Sequence, residues 1–297
     1  MTTRNERLDP ATLAYLAGWK TVGVMPERLA KATFDLGADV ASDSGRGMEM
    51  LRRNLTRVVG PENVTRDLIR RATRSYARYW REAFRLPRIA GDERYVAALD
   101  KAVEGREYID QARAAGRGVV IALPHSGNWD MAGMWLVSAY GQFTTVAERL
   151  KPEILYEKFV QYRSSLGFEV LPHAGAGGPY TRLEEVLHGN GIVCLMGERD
   201  LTPRGVRVTF FGEPASLPAG PAKLAAETGA ALLPAHSWFA GEGWGLKAEA
   251  PIEVGDVVDT TQRLADRFAA NIAAHPEDWH MLQPVWQADR DWARAGR

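Results

Sequence analysis

The stretch that decides the fold runs from residue 118 to residue 130: Gly118-Val-Val-Ile-Ala-Leu-Pro-His-Ser-Gly-Asn-Trp-Asp130. Its first half is a short, uninterrupted apolar run, which is the pattern of a strand buried within a parallel sheet. Gly127 permits a tight turn, and Asn128 favours the start of a helix because its side chain can cap free N–H groups. The stretch therefore predicts a buried strand, a turn and a helix.

The same alternation continues to the end of the chain and predicts an α/β fold. Its core is a central mixed, largely parallel sheet flanked by helices, with an N-terminal helical segment. Further strands are predicted at 143–147, 168–171, 192–196, 206–211, 230–235 and 244–249. Helices are predicted at 131–140, 152–166, 181–188, 218–228 and 260–274.

The first 115 residues carry helical periodicity instead. Tyr15, Leu16, Trp19 and Val22 share one face of a predicted helix over 12–22. We therefore divide the chain into a helical segment at 1–115, in contact with a membrane and packed on the core, and an α/β core at 116–297. The two parts are expected to form one continuous domain.

A longer helix is predicted from about Val64 to Arg85, closed by Pro87 and Gly91. One face of it is apolar, while arginines recur every three or four residues within a sector of about 120°. This stripe is either a solvated face or a surface for anionic lipid, to which each basic residue contributes on the order of 1 kcal/mol. Its one-sided charge favours lipid. The stripe consists of Arg66, Arg70, Arg74, Arg78, Arg81 and Arg85.

The composition excludes several classes of protein. The chain has 297 residues with 37 basic and 37 acidic side chains, and this balance argues against a generic nucleic-acid binder. Its one cysteine, Cys194, excludes an intramolecular disulfide framework and a cysteine-rich zinc site. No segment approaches the roughly 20 uninterrupted apolar residues of a membrane span, and the N-terminus does not predict a signal peptide. We expect a protein that is soluble or lies on a membrane.

His125 is the sharpest candidate for chemistry. It follows the end of the first predicted strand, and open α/β sheets bind ligands at the carboxyl ends of their strands. Asp130 falls in the first turn of the next helix, close enough to fold back onto the imidazole. A carboxylate on one ring nitrogen leaves the other free to take a proton. On spacing alone, a base that activates a hydroxyl group and a histidine that merely caps the turn are equally supported.

A second cluster of charge, Glu198-Arg-Asp200, follows the strand at 192–196. If the two strands are parallel neighbours, Glu198 lies at the same edge of the sheet as His125 and can hold the imidazolium. A solvent-facing loop carboxylate is the reading that spacing alone favours. Arg163, on a predicted helix, can clamp a phosphate or carboxylate, although most helical arginines are simply solvated.

Five blocks of sequence, taken together, resemble the bacterial lipid A lauroyl/myristoyl acyltransferase superfamily. They come in the order of that family within residues 115–285. Within the superfamily the chain is most similar to the actinobacterial phosphatidylinositol mannoside acyltransferases. The blocks are His125-Ser-Gly-Asn-Trp-Asp130, Arg163-Ser-Ser-Leu-Gly167, Glu198-Arg-Asp200, Phe210-Phe-Gly-Glu-Pro214 running into Pro218–Ala225, and His275-Pro-Glu-Asp-Trp-His280.

The resemblance implies an enzyme that moves a long-chain acyl group, typically palmitoyl, from acyl-CoA to the 6-hydroxyl of a mannose on phosphatidylinositol mannoside. It implies that His125 is the general base, with Glu198 and Asp130 as its carboxylate partners. Our own hypothesis is a direct transfer in which no acyl-enzyme forms. We expect no cofactor besides acyl-CoA as co-substrate, and no metal, because no His-x3-His or Cys-x2-Cys pair is present. Arg163 belongs to the acyl-CoA and acceptor site by the same resemblance. Further residues that it places around that site are Glu148, Arg204, Glu227 and His280.

The lipid A enzymes begin with a hydrophobic anchor that this sequence lacks, so we expect attachment through the arginine stripe. The expected location is peripheral, on the cytoplasmic face of the inner (plasma) membrane. Two alternatives stay open. One is an acyltransferase of the same fold that acts on another glycolipid or a lysophospholipid. The other is a non-catalytic lipid-binding protein, for which a base at the end of a strand would have no use.

Overall fold

A seven-stranded sheet forms the centre of the protein. The computed structural model describes residues 18–149, 153–173, 178–200 and 205–295. The strands are β1 (Val103–Glu104), β2 (Val119–Leu123), β3 (Phe143–Ala147), β4 (Phe168–Pro172), β5 (Ile192–Met196), β6 (Val206–Phe210), β7 (Glu213–Leu217), β8 (Ala231–Ala240) and β9 (Gly243–Ala248). Their order in the large sheet is β1-β9-β8-β2-β5-β3-β4, and β6 and β7 form a separate two-stranded hairpin.

The pairing confirms the predicted fold class. In the large sheet only the pair β8 and β9 is antiparallel. Strand β2 lies between β5 and β8, and all five of its residues are buried, as its unbroken apolar sequence predicts. The register pairs Leu123 at the end of β2 with Met196 at the end of β5, so the residues that follow these strands meet at one edge of the sheet.

Helices cover both faces of the sheet and bury its alternating side chains in two cores. Val120 and Ala122 of β2 face one core, and Val119 and Ile121 face the other. The helices are α1 (Glu27–Ala41), α2 (Glu49–Val59), α3 (Arg66–Ile89), α4 (Glu93–Ala102), α5 (Arg106–Ala114), α6 (Trp129–Tyr140), α7 (Glu153–Ser165), α8 (Tyr180–His188), α9 (Gly220–Thr228), α10 (Val257–Ala274) and α11 (Gln287–Ala295). Among the described residues, none of the helices combines the length and the apolar character that a membrane span requires.

Three details differ from the prediction. Helix α3 passes through Pro87 and ends at Ile89, because a proline in the last turn disturbs few of the hydrogen bonds of the helix. The helical segment contributes the short strand β1 to the edge of the sheet, and β7 was not predicted. Of the face predicted over 12–22, Tyr15 and Leu16 lie outside the described residues. Trp19 packs against aromatic rings of α3 and α7.

The arginine stripe of α3 is not a freely solvated face. Arg70 and Arg74 both bind the carboxylate of Asp39 on α1, and their hydrogen bonds hold the pKa of Asp39 far below its usual range. Arg81 and Arg85 both pair with Glu27, at 3.6 and 3.0 Å. These guanidinium groups fasten α1 to α3. The side chains of Arg70 and Arg74 are still 43% and 36% exposed, so contact of the stripe with lipid stays a prediction.

Arg78 also has partners within the protein. It binds the carboxylate of Glu82 at 2.7 Å and the backbone carbonyl groups of Gly241, Glu242 and Gly243. Arg66, at the start of α3, is exposed. The spacing of arginines along one helix cannot reveal these partners, because all of them except Glu82 come from α1 and from the turn between β8 and β9.

Candidate active site

His125 lies in the turn between β2 and α6, as the sequence predicts. Gly127 has φ +56°, and a Cβ atom there would lie 2.6 Å from the backbone of Ser237 on β8, so only glycine fits. The side chain of Asn128 caps α6 by accepting the N–H of Met131 at 3.0 Å. The turn is thus fixed by local geometry, and it presents a half-buried imidazole at the edge of the sheet.

Glu198 is the carboxylate that holds His125. It is fully buried, and its Oε1 atom accepts the backbone N–H of His125 at 2.7 Å and lies 2.7 Å from the ring Nδ1. Burial by itself raises the pKa of Glu198, but the charge of the imidazole and the hydrogen bonds from His125 outweigh it and lower that pKa. The interpretation as a solvent-facing carboxylate is wrong, because β2 and β5 are parallel neighbours.

This contact fixes the state of the imidazole. An ionised carboxylate is an acceptor only, so Nδ1 carries the proton and the lone pair lies on Nε2. The buried negative charge also stabilises an imidazolium once Nε2 takes a second proton. The arrangement is that of a general base.

Asp130 does not act on the imidazole as we expected from its spacing. Its Oδ1 atom pairs with Nε of Arg163 at 2.9 Å, and its Oδ2 atom accepts the hydroxyl proton of Tyr79 at 2.9 Å. Asp130 is 2% exposed, so its charge requires a compensating cation nearby. Arg163 on α7 provides that cation, and the pair joins α6 to α7.

The segment around Asp278 binds the backbone of the His125 turn, a role that its own sequence does not predict. The carbonyl oxygen of Asp278 accepts the N–H of Gly127 at 2.9 Å and the hydroxyl of Ser126 at 3.1 Å. The N–H of His280 donates to the carbonyl of His125 at 2.8 Å. The carboxylate of Asp278 accepts the hydroxyl of Ser75 on α3. Only the family block that ends at His280 indicates that this segment is functional. No local pattern can join positions so far apart in the chain.

The imidazole of His280 is buried in this network. Its Nε2 atom lies 2.9 Å from the hydroxyl oxygen of Ser75, and aromatic rings such as Tyr76 and Trp129 surround it. Burial lowers the pKa of His280 to about 3. The ring lies behind the turn and does not line the cavity described below.

We expect His280 to make the protein less stable in acid. In the unfolded chain its pKa returns to about 6.5, so between pH 6.5 and pH 3 the unfolded state binds the extra proton. The free energy of unfolding therefore falls as the pH is lowered through this window, by up to about 1.4 kcal/mol per pH unit for this group. Urea unfolding of His280→Gln across the window should show a shallower pH dependence than the wild type.

The matched control is His188→Gln, because His188 is exposed at the end of α8. That variant should keep the wild-type pH dependence. Parallel curves for His280→Gln and the wild type would contradict the prediction.

A cavity of about 630 Å³ opens beside His125. Most of the residues that line this cavity are apolar, and three charged residues of the predicted site, Asp130, Arg163 and Glu148, also line it. Glu148 pairs with Arg199 at 3.4 Å. Glu227 is exposed on α9, where it pairs with Lys223 and Tyr180, and it does not line the cavity. Arg204 lies outside the described residues.

The site combines a histidine that is oriented by a buried carboxylate with a large apolar cavity. This arrangement suits an enzyme that deprotonates a polar group of one substrate and binds an apolar substrate beside it. The chain belongs to the bacterial lipid A biosynthesis acyltransferase family, whose model matches residues 3–288. It is therefore an acyltransferase, and the resemblance on five blocks of sequence is confirmed.

Two similar proteins carry a more specific description than the family does. The chain is 56% identical over 286 residues to the phosphatidylinositol mannoside acyltransferase of Mycobacterium tuberculosis strain H37Rv, covering 95% of this chain and 90% of that protein. It is 57% identical over 294 residues to the protein of the same description from Mycolicibacterium smegmatis, covering 96% and 94%. The similarity thus extends over nearly the whole of each chain.

Proposed function

We propose that this acyltransferase moves a long-chain fatty acyl group, palmitoyl in the first instance, from acyl-CoA to a mannose 6-hydroxyl of phosphatidylinositol mannoside. The acceptor is suggested by the description of the relatives and by their high identity. The observation that carries the proposal is the buried Glu198 on Nδ1 of His125, with the ring beside a largely apolar cavity. This pairs a base with a space suited to a fatty chain.

The proposed reaction is a direct transfer. Nε2 of His125 takes the proton of the mannose hydroxyl while the oxygen attacks the thioester carbonyl. The tetrahedral intermediate then collapses, the C–S bond breaks, and the imidazolium returns the proton to the leaving thiolate. Glu198 stabilises the imidazolium between the two proton transfers.

The surroundings of other nucleophiles support a reaction without an acyl-enzyme. Ser126 is fully buried, and its hydroxyl donates to the carbonyl of Asp278, so it is not available to attack. Burial raises the pKa of the Cys194 thiol, which disfavours the reactive thiolate. Arg163 and Glu148 line the cavity and are the charged residues we assign to the substrates.

One experiment tests the function. Release of free thiol from palmitoyl-CoA is followed with phosphatidylinositol mannoside, with another glycolipid, with a lysophospholipid and without acceptor, and the products are identified by mass spectrometry. We expect thiol release that depends on phosphatidylinositol mannoside and one new ester on the sugar. Faster transfer to another acceptor would contradict the proposed acceptor. Lipid binding with no thiol release under any condition would contradict the proposed reaction.

Peripheral association with the membrane is also proposed, through α1 rather than the arginine stripe. Leu29, Leu36 and Val40 lie along one line of α1, each more than half exposed, while the opposite side packs on α3. The exposed cation Arg28 lies on the same helix. An exposed apolar line along a helix suits the boundary between the headgroups and the acyl chains of a bilayer, and the proposed acceptor is itself an anionic lipid.

Charge on this face should prevent membrane binding. We expect the double substitution Leu36→Asp and Val40→Asp to weaken sedimentation with anionic phospholipid vesicles at least about tenfold. It removes apolar area that the bilayer would cover, and the new carboxylates are repelled by the anionic lipid. Val258→Asp is the matched control, since Val258 is similarly exposed on α10. If the double variant binds normally while Arg70→Gln with Arg74→Gln does not, the lipid contacts the arginine stripe and this proposal is wrong.

A further inference from the structure

A buried carboxylate on α3 holds the turn that carries His125. Oε2 of Glu82 accepts a hydrogen bond from Nδ2 of Asn128 at 2.8 Å. Glu82 is 9% exposed and Asn128 is 1% exposed, so this contact is shielded from water. Asn128 ends the turn three residues after His125, and its other amide atom, Oδ1, accepts the N–H of Met131 at the start of α6. One side chain thus joins the turn, α6 and α3.

Three further groups surround the carboxylate of Glu82. Its Oε1 atom accepts Nε of Arg78 at 2.7 Å and lies 3.8 Å from the guanidinium group of Arg81. Its Oε2 atom also accepts Nε1 of Trp244 on β9 at 2.8 Å. The two cations compensate the buried charge, and the donors from α3 and β9 fix both oxygen atoms in place. Glu82 is therefore a fixed acceptor next to the turn.

This acceptor decides which way the amide of Asn128 points. An ionised carboxylate only accepts hydrogen bonds, so the NH₂ group of Asn128 faces Glu82 and its oxygen faces the N–H of Met131. Without the carboxylate, the buried NH₂ group loses its acceptor, and a flipped amide would set a donor against the N–H of Met131. The loss of Glu82 would therefore disturb the first turn of α6.

The imidazole depends on this turn through Trp129. The ring of Trp129 lies edge-on to that of His125, with the ring centroids 5.5 Å apart, and it stacks on Tyr79 of α3 at 3.9 Å. Glu198 fixes Nδ1 of the imidazole, and Trp129 limits rotation of the ring about that hydrogen bond. Because Trp129 follows Asn128 directly, a shift of the start of α6 would also move the imidazole.

We propose that Glu82 is a positioning residue for acyl transfer and that it acts on the imidazole of His125 through Asn128. The proposal rests on the proposed function, in which Nε2 of His125 takes the proton of the acceptor. A displacement of about 1 Å at a reacting group can cost about a hundredfold in rate. Glu82 does not line the cavity, so its loss lowers kcat and not the affinity for acyl-CoA.

The first test is Glu82→Gln, which keeps the shape of the side chain and removes the charged acceptor. We expect kcat for thiol release from palmitoyl-CoA to fall at least about tenfold, with KM for acyl-CoA within about twofold of the wild type. Thermal melting establishes that the variant is folded at the assay temperature. If Glu82→Gln does not fold, Asn128→Ser serves instead, because serine still caps α6 but is too short to reach Glu82.

Asp289→Asn is the matched control. Asp289 is also buried and binds two arginines, Arg53 and Arg57, but both of these lie on α2. This variant should lose stability and keep the wild-type kcat. An equal loss of kcat in Asp289→Asn, or a wild-type kcat in folded Glu82→Gln, would overturn the proposal.

A reciprocal exchange tests the contact itself. In the double variant Glu82→Gln with Asn128→Asp, the amide donates and the carboxylate accepts, and the new carboxylate can still cap α6. We expect kcat to return to within about threefold of the wild type, whereas Asn128→Asp alone stays slow because two carboxylates then face each other. A double variant that regains stability but stays as slow as Glu82→Gln would contradict a positioning role.

Hydrogen exchange separates this proposal from the proposed function. The N–H of Met131 should exchange at least about fivefold faster in Glu82→Gln than in Asp289→Asn, because its cap is loosened. If the wild type releases no thiol from acyl-CoA, the proposed function fails, and faster exchange at Met131 would still show that Glu82 holds the turn. Equal exchange at Met131 in the two variants would overturn the proposal whatever the activity.

Discussion

Substitution of His125 by alanine should abolish acyl transfer and leave the fold intact. The imidazole is the base of the proposed reaction, and base catalysis contributes about 10²- to 10⁴-fold to a rate. The side chain lies at the edge of the sheet, and the turn that carries it is held by backbone contacts to Asp278 and His280. We therefore expect kcat to fall by at least about a hundredfold in a protein that still folds.

Thiol release from palmitoyl-CoA, with the acceptor present, measures the effect of this substitution. His188→Ala is the matched control, because that histidine is exposed and far along the chain from the turn. Ser126→Ala tests the neighbouring hydroxyl, and radiolabelled acyl-CoA should leave no label on denatured protein. Near-normal transfer by His125→Ala would contradict the proposed mechanism. A stable label on the wild type that is absent from Ser126→Ala would show instead that the reaction passes through an acyl-enzyme.

Substitution of Asp130 by alanine should destabilise the fold by about 3–5 kcal/mol. Asp130 is 2% exposed and Arg163 is largely buried, so removal of the carboxylate leaves a guanidinium group without its compensating charge. The hydroxyl of Tyr79 loses its acceptor in the same step. Urea unfolding followed by circular dichroism measures the change in the free energy of unfolding.

The double variant Asp130→Ala with Arg163→Met isolates the cause of that loss. It removes both charges and keeps an apolar side chain on α7, so it should recover a substantial part of the lost stability. A loss below about 1 kcal/mol for Asp130→Ala would mean that water compensates the arginine, and that the pair does not fasten α6 to α7.

Local patterns predicted the elements of the site but not its contacts. The turn after β2 was predicted because Gly127 and Asn128 act on their immediate neighbours. The partner of His125 was assigned partly to Asp130, which is close in sequence, whereas Glu198 alone is bonded to the ring among the described residues. Parallel pairing of β2 with β5 decides this, and hydrophobic periodicity does not specify which strands become neighbours.

The arginines of α3 likewise show that sequence spacing predicts the face of a helix but not the contacts of its side chains. Their spacing correctly placed them on one face of a helix, and a face of unpaired charge suggested a lipid surface. In the folded chain, Asp39 and Glu27 of α1 meet four of these guanidinium groups. The exposed apolar line of α1 was not anticipated, because exposure depends on which side of a helix is covered by the rest of the protein.

The sequence by itself determined the alternation of strands and helices, the class of the fold, the family and the position of His125 at the end of β2. Each of these follows from interactions between near neighbours or from blocks of residues that the family shares. Only the tertiary structure decided which carboxylate orients His125, which charges cancel in the interior and where the cavity opens. Those properties depend on strand register and helix packing, where residues distant in the chain exclude water together and compensate one another's charges.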